Sequence, residues 1–314
     1  MARSGRDCNL DDQREPVRPA LPERSSHDGT ADRSRSGATT GAGHSQLPAA
    51  ADLRGPEAAR AASPRQPYRE PDRDRPYSLR DSELGTLVEV ATFRAVTLDD
   101  LTLYRYGGDG TQARADLDNL DRQGLIRSRT AYPERTVYLT LTRQGHRFVE
   151  RHRPHGLHTR QVLYHGFVKP REAKHDATLY RLYHHQAERI QAQGGNIQRV
   201  VLDFELKKAL NRELSKLSFL PESTRAQQKN ELARQHGLKV VSGRIPVPDL
   251  QIEYETADRE QARVNLELAT AHYHRDGLAA KARAGFAMYA LSEDAPSLHR
   301  ALQDSGLMEE ILSL

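Results

Sequence analysis

Apolar periodicity begins abruptly at Leu79, and that boundary constrains the fold more than any other feature of the chain. Residues 1–78 hold nine of the 16 prolines and runs such as Ser34-Arg35-Ser36-Gly37-Ala38-Thr39-Thr40-Gly41. No window there repeats at the helical or the strand period. Its basic residues are all Arg, since the first Lys is Lys169, and acidic residues nearly balance them. Such a stretch buries too little apolar surface to offset chain entropy, so a disordered tail is expected over 1–78. The whole chain of 314 residues suits about two domains at roughly 100–200 residues apiece.

Composition excludes several classes. Mean hydropathy is −0.77 and 29% of residues are charged, and no apolar run approaches the roughly 20 residues that span a bilayer. The first 30 residues contain no hydrophobic block, so a secretory signal is not expected. A single cysteine, Cys8, leaves no internal disulfide framework and no Cys-rich zinc module. A net charge of +4 and a pI near 9.1 are compatible with a nucleic-acid partner without requiring one. The cytoplasm is the expected location.

From Leu79 onward the local signals are dense. Leu84, Leu87, Val88 and Ala91 recur on one helical face. Thr97 suits the cap of a second short helix through Leu98 and Leu101, broken by Gly107-Gly108. Thr111 suits the cap of a third, with Ala113, Leu117 and Leu120 inward and Gly124 as its left-handed stop. Leu125–Thr130 and Thr136–Leu141 alternate like a hairpin turning at Pro133-Glu134-Arg135, and Thr142 caps a last helix. The words Leu117-Asp-Asn-Leu120-Asp-Arg-Gln-Gly124 and Tyr138-Leu139-Thr140-Leu141-Thr142-Arg-Gln-Gly145 resemble the recognition-helix exit and the turn after the wing in MarR-type winged-helix repressors.

That resemblance implies a third helix lying in the DNA major groove and a wing on the backbone. Gln112 and Asn119 then face adenine, and Arg122 faces guanine or a phosphate. Asp116, Asp118 and Asp121 on the same helix oppose phosphates. Arg127, Arg129 and Arg135 on the wing, with Arg143, Arg147, Arg151, Arg153 and Arg160 on the next helix and its exit, supply the counterion-releasing charge, opposed mainly by Glu150. A protein-docking module with a solvated charged face fits the same residues.

Past Lys174 a helix is expected from His175-Asp176, its stripe formed by Leu179, Leu182, Tyr183 and Ile190. Ile197–Phe204 reads as a buried strand, and 205–236 as an inserted helical hairpin. Strands follow over Ile245–Glu255, carrying Pro248-Asp249, and over Ala262–Ala269, carrying Glu267. A helix with Lys281 at its centre, a short strand from Phe286 and a closing helix complete the domain. Two carboxylates facing one point are what Mg²⁺ needs to polarise a phosphoryl oxygen.

This order resembles the PD-(D/E)XK nuclease core. The resemblance implies Asp249 and Glu267 as metal ligands on neighbouring strands. It also implies a catalytic Lys two positions after the second acid, where this chain has Ala269. Lys281 is the candidate replacement. Joined to the N-terminal module, the segments His175–Tyr180, Val247–Ile252, Asn265–Ala269 and Lys281–Tyr289 resemble the replication-relaxation family. That family implies a plasmid or integrative-element replication or mobilisation factor.

The expected fold is α+β. A winged helix-turn-helix domain over 79–155 precedes a mixed α/β nuclease-like domain over 170–314, with the insertion at 205–236. Expected partners are double-stranded DNA and a second copy in a homodimer, with no membrane; the expected cofactor is Mg²⁺. The alternative is a non-enzymatic winged-helix transcriptional regulator whose C-terminal domain dimerises or binds a partner. As isolated residues, Asp249 also suits a strand-start cap, Glu267 a solvent-facing position and Lys281 a helix surface. His272 and His274 stand near the same place, and adjacent His184-His185 diverge by about 100° on a helix, which keeps them from sharing a metal.

Overall fold

The computed structural model describes residues 63–70, 73–154, 157–166, 169–270, 273–304 and 311–314. Most of the expected tail, 1–62, lies outside them. Residues 63–78, also assigned to the tail, instead carry a hairpin: β1 (Gln66–Tyr68) pairs antiparallel with β2 (Tyr77–Leu79). Tyr68 and Tyr77 are buried edge-on against Phe148 at centroid distances of 5.5 and 5.0 Å. Three large residues separated by polar ones show no period in the sequence, but they cover one side of a helical layer.

That layer begins with α1 (Asp81–Phe93). A short β3 (Val96–Thr97) leads into α2 (Leu98–Arg105), where Thr97 Oγ1 accepts the Asp100 N–H at 3.0 Å, the expected cap. α3 (Gly110–Arg122) is capped by Asp109, two residues earlier than the expected Thr111. Asp109 Oδ1 accepts the N–H groups of Thr111 and Gln112, both at 3.0 Å, because a carboxylate meets the helix N-terminus better than a hydroxyl. Gly124 ends the helix at φ 72°, as its position predicts.

β4 (Ile126–Ala131) and β5 (Thr136–Leu141) form the expected hairpin, and β3 joins the other edge of β5. Thr142 caps α4 (Arg143–Arg151) by accepting the Gly145 N–H at 2.9 Å. A β-carbon at Gly145 would lie 2.0 Å from the Leu125 carbonyl oxygen, so only glycine lets this helix close on the preceding strand.

α5 (Pro170–Ala192) starts five residues before the expected His175 because Pro170 suits the first helical turn. β6 (Asn196–Leu202) is followed by the inserted pair α6 (Asp203–Leu217) and α7 (Glu222–Gln235). Then come β7 (Leu250–Glu255), β8 (Gln261–Ala269), α8 (Arg275–Arg283), β9 (Ala287–Ala290), α9 (Ala295–Gln303) and β10 (Ile311–Ser313). Strand β10 was not expected. The sheet order is β10-β9-β8-β7-β6: β6, β7 and β8 run antiparallel, while β9 is parallel to β8 and β10 to β9.

The architecture is mixed α+β. Residues 79–155 and 170–314, expected as separate domains, share one continuous core that runs from Tyr68 and Phe93 through Tyr180 and Tyr183 to Ile252 and Tyr289. Helix α5 makes the join. Its Tyr180 ring stands edge-on to Phe93 at 5.1 Å, and its hydroxyl donates to Glu89 Oε2 on α1 at 2.5 Å. Arg181 adds a paired contact to Asp100 on α2, at 3.0 and 3.1 Å to Oδ1. Among the described residues no helix is long and apolar enough to cross a membrane.

Candidate functional site

Antiparallel pairing of β7 with β8 sets Leu250 opposite Leu266, which places Asp249, at the start of β7, beside Glu267. The backbone then ties the two carboxylates together. The Asp249 N–H donates to Glu267 Oε2 at 3.2 Å, and the Leu268 N–H donates to Asp249 Oδ2 at 3.0 Å. A solvent-facing Glu267 is therefore corrected: its side chain has 0% exposure, because α8 and the turn before it cover that face of the sheet.

Lys281 projects from α8 onto this pair. Its ammonium donates to Glu267 Oε1 and, at 2.8 Å, to the Tyr273 hydroxyl, which itself donates to Glu267 Oε1. On the other side, His175 at the head of α5 has Nε2 3.6 Å from Asp249 Oδ2 and Nδ1 3.7 Å from Asp176 Oδ1. Asp249, Glu267 and Lys281 are thus brought together across 32 residues of sequence.

Electrostatics separates the two acids. Burial, and then the charge of Asp249, push Glu267 up to about 7 despite Lys281 and Tyr273. Burial alone would also raise Asp249, but its contacts with His175, Lys281 and the Leu268 N–H hold it below the ordinary carboxylate value. Asp176 and Asp249 in turn raise the His175 imidazolium to about 10. Burial and the adjacent Glu267 raise the Tyr273 phenol, which keeps it protonated as a donor. The result is a buried junction of two carboxylates compensated by an ammonium and an imidazolium.

Among the described residues no group of three or more His, Cys, Asp or Glu is arranged to hold a metal ion. Two hard carboxylates still fit Mg²⁺, which commonly takes one or two and fills its remaining positions with water and phosphate oxygens. Asp249 is the more open of the two carboxylates, at 14% side-chain exposure against 0% for Glu267. Of the flanking histidines, His272 lies outside the described residues, and His274 precedes α8 without a capping bond. Tyr273 and His175 were not singled out by the sequence. Only the proximity of His175 to Asp176, and of Tyr273 to the end of β8, hinted at either.

The second candidate surface is α3 with the β4–β5 hairpin. Asn119, expected to face a base, points inward: at 9% exposure it donates to the Ser78 carbonyl at 3.0 Å and to Glu83 Oε1 at 2.9 Å. The cause is the N-terminal hairpin, whose docking onto α3 was not foreseen. Gln112 is half-buried and donates to Asp116 Oδ1 at 2.8 Å, so its amide is engaged within the helix.

Asp116, expected to repel phosphates, is buried. It accepts from Arg80 at 2.9 Å and from Ser82 at 2.6 Å. Arg122 remains exposed beside the Asp118 carbonyl, and Arg114, missed in the sequence, is exposed on the same helix. Arg127, Arg129, Arg135, Arg143 and Arg147 are all exposed. Arg151 pairs with Glu70 at 2.8 Å and Arg153 with Glu150 at 2.9 Å.

Comparison of the chain with protein-family models, with curated proteins and with solved structures found no match.

Proposed function

We propose that this protein is a double-stranded DNA-binding factor of the replication-relaxation type, serving replication or mobilisation of a plasmid or integrative element. In this proposal α1–α4 with β3–β5 act as a winged helix-turn-helix whose arginines grip the duplex backbone. The domain from α5 onward acts as a PD-(D/E)XK-like module that contacts, and with Mg²⁺ cuts, a phosphodiester. The observation that carries it is the meeting of Asp249, Glu267 and Lys281 at one junction, within a helix–strand–strand–strand–helix–strand order.

Asp249 and Glu267 would hold the cation, which when bound polarises the phosphoryl oxygen and favours hydroxide over water. Lys281, which donates to Glu267 and Tyr273, would stabilise the negative charge that develops on the phosphate. Tyr273 keeps the ammonium in place by its hydrogen bond. His175 holds the Asp249 carboxylate ionised. The cytoplasm and a homodimer on paired DNA sites complete the proposal.

The test is incubation of supercoiled plasmid with the full chain and Mg²⁺ or Mn²⁺. Nicking or linearisation by wild type, lost in Asp249→Ala and in Glu267→Ala, supports the nuclease role. A second reading, a non-enzymatic regulator, is favoured by Ala269 and by the complete pairing of the two acids with Lys281 and His175. Duplex binding without any cleavage by wild type would select it.

A further inference from the structure

The inserted hairpin α6–α7 has only its root in the body of the protein. Leu206 and Leu210 on α6, and Leu232 and Ala233 on α7, are buried, and no residue from Asn211 to Glu231 is. Leu210, Leu232 and Ala233 share a core with Leu278 and Phe286. At the far end stands Phe219 with 91% of its surface exposed. An aromatic ring normally contributes to stability through burial, and here it contributes almost nothing to the fold.

The turn that presents it is nevertheless ordered. The Leu220 N–H donates to the Leu217 carbonyl at 3.1 Å, and the Arg225 guanidinium donates to the carbonyls of Ser218 at 3.2 Å and Leu220 at 2.8 Å. These bonds satisfy the carbonyls at the end of α6 and fix the ring on a rigid support. Over α6 and α7, residues 203–235, seven basic residues stand against five acidic ones, a surplus of two. The excess lies toward the tip: from Leu206 to Lys229 there are six basic residues (Lys207, Lys208, Arg212, Lys216, Arg225, Lys229) against Glu213 and Glu222. Of these, Lys207 pairs with Asp203 and Lys216 with Glu213. The hairpin also springs from the carboxylate junction, because the Asp203 N–H that opens α6 donates to the Asp249 carbonyl at 3.1 Å.

We propose that α6–α7 is a DNA-contacting arm. Its basic flanks follow the phosphates, and Phe219 enters the base stack as an apolar wedge. At about 1.5 Å per residue, α6 sets the ring on the order of 22 Å from its root, a reach of roughly six base steps. An aromatic side chain inserted between base steps exchanges its water-exposed face for a base, which explains why a rigid turn displays it bare. The inference rests on the reading of the junction as a DNA site and adds a second, non-catalytic contact to it.

The test uses the full chain in EDTA with 30-base-pair duplexes of mixed sequence, each carrying 2-aminopurine at a different position. Binding of wild type is expected to raise the fluorescence at one step. Phe219→Ala abolishes that rise and weakens binding about tenfold, while Phe219→Trp keeps both. Wild-type affinity and an unchanged signal in Phe219→Ala would overturn the arm alone. No binding of any duplex by wild type would overturn the arm together with the proposed function. Sedimentation showing self-association lost in Phe219→Ala, with DNA binding intact, would overturn it in favour of a second copy of the chain.

Discussion

The ammonium of Lys281 donates to Oε1 of Glu267, a carboxylate with 0% exposure that also accepts the Asp249 N–H through Oε2. Both oxygens of Glu267 are therefore engaged, and among the described residues its paired cation is Lys281, 14 residues away in sequence.

Removing that counter-charge exposes its structural worth. Lys281→Met leaves a buried carboxylate without its cation and is expected to cost about 3 kcal/mol in urea unfolding. Combining it with Glu267→Gln removes the orphan charge and restores most of that loss. A double variant no more stable than Lys281→Met would show that the two side chains are not coupled.

Stability without metal falls as pH rises. Glu267, pushed up to about 7 by burial and by Asp249, holds a proton when folded that the unfolded chain releases near 4.5, so stability declines from about pH 4.5 to 7. His175, raised to about 10 by Asp176 and Asp249, contributes stability that is complete below 6.5 and lost as pH climbs through 10. Both act in the same direction. In EDTA the urea midpoint of wild type is expected to drop more between pH 5 and pH 9 than that of Glu267→Gln/His175→Gln. Equal drops would count against these assignments.

In the proposed function the arginines of the β4–β5 hairpin carry the backbone affinity. Replacing Arg127, Arg129 and Arg135 by Ala is expected to reduce the slope of log affinity against log salt by roughly 2–3 for a B-DNA duplex. The loss should be uniform across sequences, as for phosphate contacts. An unchanged slope would remove the wing from the interface.

Asn119 behaves as a structural residue. Its amide bonds to Ser78 and Glu83 fasten the N-terminal hairpin to α3. Asn119→Ala is expected to lower stability by about 1–3 kcal/mol, since it removes two hydrogen bonds, one of them to the buried Glu83 carboxylate. Base preference measured on a duplex library should not move.

Helix ends were legible because they are set by neighbours in the chain. Thr97, Thr142 and Gly124 sit where a side-chain oxygen or a left-handed backbone is needed, and each does what its position predicts. The strand of Glu267 was legible from its alternation, whereas the strand expected over Ile245–Glu255 begins only at Leu250, so Asp249 lies just before β7 rather than within it. The pairing of Tyr68 and Tyr77 with Phe148 was not, because aromatics spaced about 10 and 70 residues apart leave no local pattern.

By itself the sequence determined most of the helices and strands between Asp81 and Ala290, the caps at Thr97 and Thr142, and the strand that carries Glu267, all products of short-range sterics and hydrogen bonding. Only the tertiary structure decided that Asn119 and Asp116 turn inward, that one core joins both halves through α5, and that Lys281, Tyr273 and His175 close on the two acids. Those outcomes depend on which faces pack together. Side chains far apart in the chain share a low-dielectric interior only after the sheet and helices have met.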